Sequence, residues 1–131
     1  MKAFHIINFI IIALLLVFIC VAEEITVSFS LKDIQNRCLS IEKLVDEKGS
    51  LQNIEVVLAV DNLEFRWTED ESNLCYMVNH KNVQEIGQEI VKAKQYITED
   101  NLEEFKVSIE LIKFYCHSYL HFMGANLHNV L

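Results

Sequence analysis

LEEFKVSIELIKFYCHSYLHFM, residues 102–123, is the stretch whose reading decides the fold. Its apolar residues Leu102, Phe105, Ile109, Ile112, Cys116, Tyr119 and Met123 recur at steps of 3, 4, 3, 4, 3 and 4. That spacing winds them onto one side of an α-helix, whereas a strand would alternate at every second residue. Glu103, Glu104, Lys106, Glu110 and Lys113 fall outside the seam, so this helix has one stripe to bury and a wet flank. Asp100 with Glu103 three residues on reads as an N-cap and capping box. Gly124 is the expected stop, leaving Ala125 to Leu131 as a short tail.

The same arithmetic works outward. Val83, Ile86, Ile90, Ala93 and Ile97 step by 3, 4, 3 and 4, which predicts a helix from around Asn79, with the turn at Thr98 to Asn101. Upstream, Ser50 reads as the cap of a helix whose apolar face is Ile54, Val57 and Leu58, extended by Phe65, Trp67, Leu74 and Val78. Thr68-Glu69-Asp70-Glu71-Ser72 within it is a solvated turn or a local break. Val27, Leu31, Ile34, Cys38, Ile41 and Val45 step by 4, 3, 4, 3 and 4, and Gly49 ends that helix. Ile25 to Ser30 alternates as a strand would, but no second strand is there to pair with it, so it reads as helix continuing from upstream. With no proline and three glycines, long helices meet few breakers. The fold class is all-α: an N-terminal membrane-type helix followed by an antiparallel bundle of about four helices.

Residues 1–22 are a different material. Ala3 to Ala22 is an almost unbroken apolar run, and about 20 residues suffice to cross a ~30 Å hydrocarbon core as a helix. Lys2 precedes it and Glu23-Glu24 follow, which orients the N-terminus to the cytoplasm and residues 23–131 outside. Cys20-Val21-Ala22 permits cleavage after Ala22, which would give a secreted protein. The length of the apolar core and the lack of a helix breaker before that site favour a retained anchor. Bulky Phe18 and Ile19 argue against a lipoprotein reading of Cys20.

Beyond Ala22 the chain keeps all 19 acidic residues and loses only Lys2 of its 11 basic ones, for a net charge of −9. Phosphate binding needs clustered Lys and Arg, so nucleic acid is excluded as an expected partner. Cys38, Cys75 and Cys116 are an odd number without a C-x-x-C, and read as small buried hydrophobes; one disulfide with a free thiol, or an intermolecular bridge, is the other possibility.

From Trp67 onward a family likeness is visible. Trp67, Asn79-His80-Lys81, the run Ile86 to Ile97 with Tyr96-Ile97, the turn Thr98-Glu99-Asp100 and the closing Asn126-Leu127-His128-Asn129-Val130-Leu131 occur in that order. In these the chain resembles a bacterial domain-of-unknown-function family, DUF family 4363. The resemblance implies a small, membrane-associated helical protein of Firmicute type and carries no catalytic residues with it. The chain departs from the family pattern in its three body cysteines and in Lys94, where an aliphatic residue is more usual.

Candidate chemistry is sparse. His117 and His121 lie four apart and share a helix face, so they could hold a metal, but zinc needs one or two further ligands. The H-E-x-x-H pattern is absent, Ser118 standing where the glutamate would be. Two partly exposed histidines are the simpler account. His80, at a helix start, reads as a cap or packing residue. Cys116 and His117 diverge by about 100° on a helix and form no dyad. Scarce glycine excludes phosphate-binding loops. Trp67 and the aromatics Phe114, Tyr115, Tyr119 and Phe122 read as core rather than as a ligand groove.

The sequence therefore points to a single-pass, membrane-anchored extracytoplasmic helical domain that acts by protein interaction or self-association. It predicts no cofactor and no catalytic residue. A stripe including Val27, Leu31, Ile34 and Trp67 is the candidate interaction surface. The rival is an exported metal- or small-ligand-binding protein using His117 and His121.

Overall fold

In a computed structural model, the backbone is described for residues 2–78 and 80–128, and side chains for 4–78 and 81–121. Four helices follow one another: α1 (Lys2–Lys48), α2 (Ile54–Met77), α3 (His80–Thr98) and α4 (Leu102–His128). No strand occurs among the described residues. Ile25 to Ser30 is helix, continuous with the apolar segment before it and the bundle after it.

Each helix packs on its neighbours in sequence, and α4 closes on α1, giving a four-cornered antiparallel bundle. The core is built from the predicted seams of α1, α3 and α4: Val27 to Val45, Val83 to Ile97, and Phe105 to Cys116. Leu51, in the α1–α2 connection, plugs the bundle at that end. Leu102 opens α4 and is exposed, while Tyr119 packs partly buried against the core. Met123 lies outside the described side chains.

Helix α2 overturns the sequence reading of its face only in part: Trp67 and Leu74 are buried as expected, and Val57 and Val78 pack partly buried against the core. Its buried residues are Val56, Val60, Leu63, Trp67, Asp70 and Leu74, while Ile54, Leu58 and Phe65 point to solvent. The true seam steps by 4, 3, 4, 3 and 4, but its fifth member is an aspartate, which hides it from a hydrophobicity count. The stretch Thr68 to Ser72 is unbroken helix.

Three boundaries also move. Asn53, not Ser50, caps α2, its side chain accepting from the Glu55 N–H at 2.9 Å. Ser50 instead accepts from the Gln52 N–H, closing a tight turn after Gly49. Gly49 adopts φ 66 and donates to Val45, which ends α1 as expected. Asp100 is not a cap: at φ 52 it closes α3, while Asn101 donates to Tyr96 O in a Schellman arrangement. Asn101 then begins α4 by accepting from the Glu104 N–H. At the far end α4 runs through Gly124 to His128. A glycine in a helix interior costs about 1 kcal/mol, which continued ladder bonding can outweigh.

Gly87 does have a positional reason. A Cβ there would stand 2.9 Å from Trp67 Nε1, so the bare glycine is what lets the indole lie against α3.

Candidate functional site

The described surface includes a bare apolar helix, a set of charged ties and exposed apolar stripes on the bundle. From Phe4 to Val21 the large apolar side chains are exposed, and this is the part of α1 long and apolar enough to cross a membrane or to act as a signal anchor. No linker separates it from the bundle; the first core residue, Val27, follows within the same helix.

Ion pairs tie the helices together. Between α1 and α2, Asp33 accepts from Arg37 at 2.8 Å and faces Arg66 at 3.4 Å, while Arg37 also donates to Asn62. Arg66 further reaches Glu69 and the buried Asp70, so both arginines of the chain are used in this one network. Lys94 spans Asp61 and Glu64 between α3 and α2. Its hydrogen bonds to Glu64 and Asp61 hold its ammonium above the ordinary lysine range. Between α4 and α1, Lys113 bonds Glu42 at 2.6 Å and Glu110 at 2.7 Å, and Lys106 bonds Asp46. Burial raises the Glu42 carboxyl, whereas the Lys113 hydrogen bond lowers that of Glu110. These pairings tie the helices to one another, although Arg66 Nε and Asp70 Oδ2 are buried without a hydrogen-bond partner.

The predicted site residues fall in two places. Val27, Leu31, Ile34 and Trp67 are buried in the bundle's own core and present no surface to a partner. His117 and His121 are exposed on α4. Among the described residues, no group of three or more His, Cys, Asp or Glu is gathered to hold a metal ion. The side chain of His80 lies outside the described residues. All four cysteines are free thiols; burial pushes Cys38 up strongly and Cys116 up to about 12, so both are unreactive core residues. Cys75 is half-buried and Cys20 exposed. Of the aromatics, Tyr115 and Tyr119 pack on the core, but Phe114 is exposed and meets Tyr115 edge-on at 5.8 Å. The Phe122 side chain lies outside the described residues.

What the sequence missed is the outward face of α2. Ile54, Leu58 and Phe65 are exposed and lie within about 40° of one another around the helix. These residues stand out in the sequence, where their helical spacing assigns them to a buried face. Acidic side chains flank them: Glu55, Asp61, Glu64 and Glu69. Beside this face, Trp67, Gly87, Ile90 and Val91 floor an open groove of about 490 Å³ between α2 and α3, edged by Glu64, Glu71, Gln84 and Gln88.

No curated protein and no solved structure matches the chain. A family model does, over residues 26–130, which begins one residue before Val27 and takes in the whole bundle. The chain therefore belongs to DUF4363, a family defined as a domain of unknown function.

Proposed function

We propose that this chain is a single-pass membrane protein, N-terminus cytoplasmic, whose helical body stands outside the membrane and acts by binding another protein rather than by catalysis. One observation carries the reading: the apolar segment and the first strut of the bundle are a single helix, Lys2–Lys48. A body joined to its anchor without a flexible linker is held at a fixed height and angle, which suits presentation of a surface. The surface offered is the α2 face Ile54, Leu58 and Phe65, edged by acids already paired with Lys48, Lys94 and Arg66, which fits the apolar face of an amphipathic segment of a partner.

The test is in-cell crosslinking of the tagged full-length chain, with mass spectrometry of the membrane fraction. A specific partner, lost on Leu58→Glu and recovered with the N-terminal peptide still attached, supports the reading. A processed chain starting at Glu23 in the medium, or self-crosslinks alone, overturns it. The metal reading is tested alongside it: zinc affinity of the full chain is expected not to change when His117→Ala and His121→Ala are combined.

A further inference from the structure

We propose that the base of the bundle is seated in the lipid headgroup layer, with Ile25 and Phe29 of α1 and Tyr76 of α2 as its contacts. This rests on the anchor reading above and adds to it where the body sits.

The argument begins with helix phase. Leu14, Phe18, Val21, Ile25 and Phe29 follow one another at steps of 4, 3, 4 and 4, and all are exposed. The apolar segment is bare on every side, and one of its exposed lines continues past Ala22 onto the bundle. Glu23 and Glu24 are turned from Ile25 by about 100° or more, so the two acids do not interrupt it. Phe29 remains 67% exposed although the bundle core begins at Val27 on the opposite side.

Height comes next. Ile25 and Phe29 stand about 4.5 and 10.5 Å beyond Ala22 at 1.5 Å per residue. Headgroups occupy roughly 5–7 Å on each side of the hydrocarbon. Helical side chains lean toward the N-terminus, here toward the membrane, which brings the Phe29 ring down into that layer. Lys32, exposed about one turn higher, edges the same shallow groove as Ile25, Phe29 and Glu24 and holds a cation above that layer, where its long side chain can lean toward anionic headgroups.

Register supplies an independent contact. In the antiparallel pair of α1 and α2, Asp33 faces Arg66 and Arg37 faces Asn62. Stepping ten residues back along α1 and ten on along α2 from the first pair sets Tyr76 level with Glu23. Tyr76 is 91% exposed at that level, and Met77 beside it is partly exposed. A tyrosine at the membrane plane is the residue type that interfaces favour, since its ring is apolar and its hydroxyl wet.

The experiment places single tryptophans in the full chain, reconstituted in phosphatidylglycerol and phosphatidylethanolamine vesicles carrying brominated acyl chains. Leu16→Trp reports the span, Phe29→Trp and Tyr76→Trp the base, and Leu58→Trp the solvent-facing height of α2. All four sites are exposed, so the fold is retained (checked by circular dichroism), and buried Trp67 adds the same background to each. The expected result is loss of most of the added emission at Leu16→Trp with bromines deep in the chains. At Phe29→Trp and Tyr76→Trp the loss is expected with bromines near the glycerol, and at Leu58→Trp none. Quenching at Phe29→Trp or Tyr76→Trp no greater than at Leu58→Trp, with Leu16→Trp quenched, overturns the seated base and leaves the anchor intact. No quenching at Leu16→Trp overturns the anchor itself.

Discussion

Replacing Gly87 by alanine tests the packing at the centre of the bundle. On an isolated helix the change stabilises by about 1 kcal/mol, because alanine restricts the unfolded chain and suits helical geometry. Here the new Cβ meets Trp67 Nε1 at 2.9 Å and Trp67 Cε2 and Glu71 Oε1 at 3.7 Å. The indole cannot swing away freely, since Trp67 is buried, and its N–H has no hydrogen-bond acceptor to follow into a new position. Overpacking of a fixed ring costs about 1–3 kcal/mol, so the two effects leave a net loss of about 1 kcal/mol. For a body of this size that lowers the unfolding midpoint by roughly 4–8 °C. Thermal unfolding of the full chain in detergent micelles, followed by circular dichroism and by the emission of Trp67, the only tryptophan, measures both the loss and the ring's displacement. In a Trp67→Phe background, which removes the clashing nitrogen, Gly87→Ala is expected to stabilise instead. A midpoint that rises for Gly87→Ala in the native background would refute the reasoning, because it would mean the indole does not lie on α3.

Three further outcomes follow from the same structure. Asn53→Ala removes the α2 cap and is expected to cost about 1 kcal/mol in the same unfolding assay, whereas Ser50→Ala costs less. Asp70→Leu, which completes the α2 seam and leaves Arg66 its pairings with Asp33 and Glu69, is expected to stabilise by about 1 kcal/mol; a clear loss would show that Asp70 is needed. Lys94 is held above its ordinary 10.5 by Glu64 and Asp61, so its contribution is complete below 10.5 and disappears as pH rises through the higher folded value. Urea midpoints should therefore fall on the alkaline side of 10.5 in the native chain, and fall less in Lys94→Met.

The fold was legible wherever the burying side of a helix is uniformly apolar. The seams of α1, α3 and α4 are of that kind, and every step from Val27 to Val45 and from Val83 to Ile97 is buried. Helix α2 carries two apolar lines, and the one that is buried contains Asp70, so counting hydrophobic residues finds Trp67 and Leu74 but mixes them with Ile54, Leu58 and Phe65 of the other line. Caps were displaced by one to three residues because Ser50, Asn53, Asp100 and Asn101 are all capable caps; backbone angles at the neighbouring turns decide among them, and composition does not. The membrane-type helix was plain from length alone. The candidate surfaces were less so, because they are made of ordinary leucine, isoleucine, phenylalanine and tyrosine left outside a completed core. Only the packing of the other helices reveals which ones remain.

The unbroken ladder of α1 makes it a shaft of 47 residues, roughly 70 Å long, shared by the apolar segment and the bundle. Its torsional phase is common to both ends: the side of the apolar segment that meets a neighbour dictates the compass direction in which α2 presents Leu58 and Phe65. One residue inserted near Glu24 would turn the body by about 100° and lift it by ~1.5 Å while leaving every contact inside the bundle unchanged. Rotation or sliding of the segment would likewise be delivered to the body undiminished, with no slack in between to absorb it.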